Sequence, residues 1–302
     1  MTKIRRRVSG GRIRIVVGLC LAAAFCLQCG SLVSRLSQPT RAIGFGATQA
    51  VATPDMTVLN GTGGSVADAI KRMAREGPLD LLREAQKRYH NTVVDYTCTF
   101  RKRENLDGQL TKVQGAKIKF RQKNESVYMH WTENPAKARR VIYVKGKWTK
   151  KGQPAALCEP EGAIARAIVP SILMPIHGPE AKAASRRTID QFGFARALDL
   201  ILKYSLVAQK RGELELRYVG EGTVDDRSTY VFERVLPYTG VDGEYPDRVL
   251  VYHLDTERLV PVMCASYADD AKKTLLGQYE YTDVRLNEGL TDADFEGTTY
   301  GL

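Results

Sequence analysis

Four histidines, His90, His130, His177 and His253, supply every imidazole of the chain, and none shares a short spacing with another histidine or with a cysteine. That leaves no basis for a zinc site. His130 beside Trp131 and His253 within an apolar stretch are candidate acid–base groups, although a lone histidine more often packs or faces water. The nearest approach to a hydrolase elbow is Gly63-Gly64-Ser65-Val66-Ala67, which lacks the final glycine and a preceding strand. His-Glu-x-x-His, a phosphate-binding loop and a dinucleotide fingerprint are missing as well. The sequence therefore predicts no catalytic residue, no metal and no cofactor. Two arginine pairs, Arg139-Arg140 and Arg186-Arg187, can contact an anion, since the guanidinium fork matches a carboxylate or phosphate. The plainer alternative for each is a solvated face. Asp292, Asp294 and Glu296 are spaced like solvent-facing residues rather than metal ligands.

The formal net charge of +11 over 302 residues invites a nucleic-acid reading, but the charge is unevenly placed. Residues 1–42 carry eight Lys/Arg and no acid, which leaves the remainder with 37 basic and 34 acidic side chains. A nearly balanced body argues against reading a nucleic-acid binder from the total charge, so no nucleic-acid partner is expected. The basic leader precedes Ile15–Leu27, thirteen uncharged and mostly apolar residues. A membrane span needs about 20 apolar residues and a signal core about 7–15. Residues 1–33 thus read as a signal peptide, cleaved or lipidated, or as an uncleaved membrane anchor if the helix runs on to Val33. In that segment Cys26-Leu27-Gln28-Cys29 spells a redox motif, but without a βαβ context it reads as part of the apolar core. Export would place the body in an oxidising compartment. There Cys98, Cys158 and Cys264 give either one disulfide and one thiol or three buried small side chains.

The elements that must position these groups follow from periodicity. Residues 34–77 are rich in small and polar types and read as a flexible low-complexity tether, with a short helix near Ala67–Arg75. Pro78 opens a helix in which Leu79, Leu82, Ala85, Gln86 and Tyr89 share a face. About four strands follow: Tyr96/Cys98/Phe100, Ile118/Phe120, Val127/Met129/Trp131 and Arg140–Val144. Residues 159–188 are apolar yet broken by four prolines, and a helix is predicted from about Thr188 to Gln209. About five strands complete the chain, the last over Leu275–Leu286, with a capped turn at Thr291–Phe295. The strand containing Val249, Val251 and His253 is apolar on both faces. So many short antiparallel strands must curl, and wrapping them over the central helix is the simplest burial scheme. The proline-broken stretch is too apolar to lie exposed, and reads either as a lid over a greasy pocket or as a core plug.

This order of elements resembles the LolA-like lipoprotein-carrier superfamily, over about Pro78 to Leu302. The resemblance rests on the hairpin Asp255-Thr256-Glu257-Arg258-Leu259-Val260-Pro261-Val262. It rests also on the closing run Tyr279–Leu286 with Asn287 in the following turn and the final Asp292-Ala293-Asp294-Phe295. Tyr96-Thr97-Cys98-Thr99-Phe100 with Arg103-Glu104 and Asp107-Gly108 is similar to an exported bacterial family of unknown function, and Thr188-Ile189-Asp190 with Phe192-Gly193-Phe194 to its middle helix start. What the resemblance implies is a mainly β (α+β) fold, a strongly curved antiparallel sheet forming an incomplete β-barrel covered by helices. Residues 78–302 would form that half-barrel. It implies a non-enzymatic, exported protein of the periplasm or cell envelope that holds a lipid, an acyl chain or a lipoprotein in an apolar hollow. Membrane association would come through the N-terminus. The alternative is an envelope sensor or adaptor that binds a protein partner, its hollow filled by core side chains. Expected wall residues are Phe100, Phe120, Met129, Trp131, Tyr143, Leu198, Leu202, Val251 and Val262. Expected lid residues are Ile168, Ile172, Met174 and Phe192, and the anion contacts remain Arg139, Arg140, Arg186 and Arg187.

Overall fold

The structure, a computed structural model, describes residues 65–302. The signal, anchor and lipidation readings for residues 1–33, and most of the tether, lie outside the described residues. Helix α1, Val66–Glu76, is closed at its start by a capping box in which the Ser65 hydroxyl accepts from the Asp68 amide at 3.2 Å and the Asp68 carboxylate from the Ser65 amide at 3.0 Å. Its Ile70 and Ala74 are buried. Helix α2, Pro78–Thr92, starts on its proline and buries Leu79, Leu82, Ala85 and Tyr89 along one face, as the periodicity requires.

Eight strands precede the central helix and five follow it. The first group is β1 Asp95–Leu106, β2 Gln109–Leu110, β3 Gln114–Arg121, β4 Ser126–Glu133, β5 Ala138–Val144, β6 Thr149–Lys150, β7 Gln153–Pro160 and β8 Ile172–Pro175. Two six-residue helices, α3 Ala163–Ile168 and α4 Pro179–Ala184, flank β8. Helix α5, Phe194–Arg211, is followed by β9 Glu215–Val224, β10 Arg227–Val235, β11 Val249–Asp255, β12 Pro261–Tyr267 and β13 Leu275–Leu286. All pair antiparallel in one sheet, ordered β6-β7-β5-β4-β3-β1-β13-β12-β11-β10-β9, with β2 on β1 and β8 on β7. The two ends do not pair, so the barrel is incomplete, as the resemblance implied. Strands β1 and β13 meet at its centre, with Tyr96 opposite Leu286 and Phe100 opposite Tyr281. Asn287 closes the junction: its side-chain oxygen accepts from the Val94 amide at 2.8 Å and its amide nitrogen donates to the Thr92 carbonyl at 2.9 Å.

The inner face of the sheet buries against α5 and α2. Helix α5 begins later than its periodicity predicts, because Gly193 interrupts it with φ +108° and ψ 167°. A β-carbon there would lie 3.0 Å from the Tyr96 hydroxyl and 3.1 Å from Phe120. Phe192 and Phe194 on either side enter an aromatic cluster: Phe192 meets Phe100 edge-on at 5.1 Å, and Phe194 lies 4.6 Å from Tyr96 and 4.8 Å from Tyr281. Farther along, the buried Arg234 of β10 donates to the Ile201 carbonyl of α5 at 3.1 Å and to Asp247 at 2.9 and 3.2 Å. The outer face carries a smaller cover. Phe295 packs with Tyr128 and Ile142, and Tyr300 stacks on Tyr128 at 4.2 Å. Of the acids expected to face solvent, Asp292 is exposed and pairs with Arg121, while the partly buried Asp294 and Glu296 pair with Lys119 and Lys147. Among the described residues no metal-holding cluster occurs.

Two outcomes follow from these contacts. Gly193→Ala should cost about 2 kcal/mol or more, since both the dihedral and the Cβ contacts are unfavourable, and a lowered urea midpoint would register it. Asp247→Ala strands a buried guanidinium and should cost about 3–5 kcal/mol, whereas the Arg234→Met/Asp247→Leu double variant should lose far less in the same titration.

Candidate functional site

Between the inner face of the sheet and the cover formed by α4, residues 185–193 and the start of α5 lies a cavity of about 270 Å³. This is just below the roughly 300–1,000 Å³ typical of ligand pockets. Its walls are mostly apolar. Phe100, Met129, Trp131 and Tyr281 contribute from the sheet, Met174 and Ile176 from β8 and its end, and Leu200, Ile201 and Tyr204 from α5. Cys158 and Cys264 also line it, and burial pushes both thiols up to about 12. They stay protonated and act as small apolar wall. All three body cysteines are free thiols.

One polar cluster stands in this wall. Lys102 and Glu104 continue the inward face of β1 beyond Phe100 and form a buried ion pair at 2.7 Å. The Lys102 ammonium also donates to the Ser185 hydroxyl at 2.9 Å and to the Ala184 carbonyl at 3.4 Å, and lies 5.5 Å from the Trp131 ring centre. Tyr279 donates to Glu104 at 2.8 Å, and burial raises its phenol. The Lys102 ammonium thus has three acceptors within this network, the Glu104 carboxylate, the Ser185 hydroxyl and the Ala184 carbonyl. Arg186 and Arg187 line the cavity beside this cluster. At its other polar place, Arg234 and Asp247 neutralise each other.

The structure places the expected residues as follows. Phe100, Met129, Trp131, Met174, Phe192, Arg186 and Arg187 line the cavity. Phe120, Tyr143, Leu198, Leu202 and Val262 point inward but lie in the packed core around it. Val251 stands on the opposite face from Leu250 and Tyr252, a choice that a strand apolar on both faces does not reveal. Arg139 and Arg140 are drawn to Glu159 together with Arg166, and none of the three lines the cavity. The proline-broken stretch departs from expectation: Ile164 is 80% and Ile168 75% exposed, and Val169 and Ile172 are exposed too. Helix α3 is too short to bury a face and has no buried residue. Ile172 sits opposite Cys158, which lines the cavity, but none of these four residues lines it. Neither candidate acid–base histidine lines the cavity. Burial lowers His253, which hydrogen-bonds Thr229 at 3.0 Å, and burial with Arg140 and Arg139 lowers His130.

Comparison with known proteins adds the following. No curated protein matches the chain. Among solved structures, the Pseudomonas aeruginosa MucA/MucB complex is similar at 14% identity over 72% of this chain and 60% of that chain, with a TM-score of 0.41. The lipoprotein LppX of Mycobacterium tuberculosis is similar at 12% identity over 72% of this chain and 98% of its own, with a TM-score of 0.40. A LolA superfamily protein from Nitrosomonas europaea gives 11%, 73%, 97% and 0.33 in the same order. Residues 93–299 match a family described as protein of unknown function, DUF1571. That match covers more than half of the chain, with all thirteen strands, the helix that covers them and the arginines beside the cavity, and the chain belongs to this family.

Proposed function

We propose that this protein is an exported, non-catalytic binding protein that holds a lipid, an acyl chain or an acylated protein in the hollow of its half-barrel. The observation that carries the reading is the 270 Å³ cavity, walled by apolar side chains that would otherwise face water beneath the helical cover. Burial of an acyl chain there gains about 0.8 kcal/mol per methylene. About ten methylenes correspond to a dissociation constant near 1 μM before ordering costs. The cationic, then apolar leader supports a route to the periplasm or cell envelope. A second reading, an envelope adaptor that binds a protein partner, draws on the exposed apolar group of Ile164, Ile168, Val169 and Ile172.

The test is mass spectrometry of organic extracts from the full chain, exported in cells and purified without detergent. A co-purifying lipid near one per protein is expected. Ala138→Trp, which fills the cavity from β5, should reduce it about tenfold or more without changing the far-ultraviolet circular dichroism. A lipid-free protein that takes up no fluorescent fatty acid would overturn the reading in favour of the adaptor, to be sought by pull-down from the envelope.

A further inference from the structure

Among the described residues most arginines face acids. Arg139, Arg140 and Arg166 share Glu159, Arg196 meets Glu125, Arg211 meets Glu244, and Arg227 meets Asp255. Arg186 and Arg187 do not. Both line the cavity, and among the described residues neither comes within ion-pair distance of a carboxylate. Arg186 makes one long hydrogen bond, to the Ser266 hydroxyl at 3.4 Å, and its guanidinium lies beside the Tyr279 ring and Gly277. Both guanidinium groups act on the Tyr279 hydroxyl, opposing the effect of burial upon it. The nearby Lys102 is neutralised by Glu104, and Ser185 of that network fixes the residue just before the arginines. Lys137 and Glu180 also line the cavity, so three uncompensated cations, two of them adjacent arginines, face one acid.

An apolar hollow with forked cations on its wall suits a ligand with both characters. We propose that the cavity takes an amphiphile with an anionic oxygen head group, a carboxylate or phosphate, held by Arg186 and Arg187, with its apolar chain along Phe100, Met129 and Trp131. The proposal rests on the binding reading above and specifies the class of ligand. An anion enters an apolar site only if it is paired and hydrogen-bonded there, and guanidinium supplies both in one contact. Preference for the anion over a neutral head should be about tenfold or more, the effect of one or two charge-assisted hydrogen bonds.

The experiment compares palmitate with hexadecanol, which share a tail, by displacement of a pyrene-labelled alkanol from the delipidated full chain. Wild type should favour palmitate about tenfold or more. Arg186→Gln/Arg187→Gln should bring the ratio to about one by weakening palmitate alone, while Arg103→Gln, whose side chain donates to the Thr111 carbonyl on the hairpin, should leave it unchanged. Equal affinity of the two ligands in wild type would overturn the head-group assignment and leave the binding reading standing. Binding of neither would overturn both. Displacement of palmitate by submillimolar inorganic phosphate would overturn the amphiphile in favour of a free-anion site.

Discussion

A β-carbon on Gly193 would come within 3.0 Å of the Tyr96 hydroxyl, and the backbone there adopts a dihedral pair that L-residues avoid. This close approach lets Phe192 and Phe194 enter the aromatic cluster of β1, β3 and β13 from opposite sides. It thereby fixes where α5 begins and how near it lies to the sheet. The chain before that point, residues 176–192, must then cross above the inner face without helical regularity. The hollow is the space left beneath that crossing. A continuous helix from Thr188 would carry no such kink, and the cover would pack differently on the sheet.

Polar groups on the inner face obey one rule. Those away from the cavity mouth are matched in charge, as Arg234 is by Asp247 and Lys102 by Glu104. Each such pair holds the cover to the sheet, the first through the Ile201 carbonyl and the second through Ser185 and Ala184. Buried pairs of this kind contribute less to net stability than to the cost of a wrong arrangement, because separating them strands a charge. They define where α5 and residues 184–187 sit. The unmatched arginines lie immediately beyond Ser185, held by a network that is itself neutral.

The sequence made the outline legible because its signals were local. Proline opened α2, strict alternation marked β1 and β4, and the run Leu275–Leu286 coincides with β13. It failed where a second influence overrode the local one. Strands β7 and β8 contain Pro154, Pro160 and Pro175, and prolines at sheet edges and strand ends read as breaks. Lys102 and Glu104 fall on the inward face of β1 by simple period two, yet charge argued for the surface. Extending the alternation Tyr96, Cys98, Phe100 by two more steps would have found them. For Val251 no local signal existed, since its strand is apolar on both sides and only the pairing of the whole sheet decides its face.

Both open edges of the sheet are protected. Edge strand β9 is covered in part by α1, with Lys71 bonded to Glu221 at 2.7 Å, and β6 at the other end is two residues long. Both features discourage further strand pairing. The sheet is held by long antiparallel ladders at its centre, β1 pairing along its length with β3 and β13. The cover is uneven. Helix α5 buries six residues and is tied to α2 by Gln86 and Asp199 at 2.6 Å, whereas α3 and α4 bury none. Local opening is easiest where few contacts are lost. The least anchored part of the cover is therefore residues 163–188, where the exposed Ile164, Ile168 and Ile172 lie, and not α5.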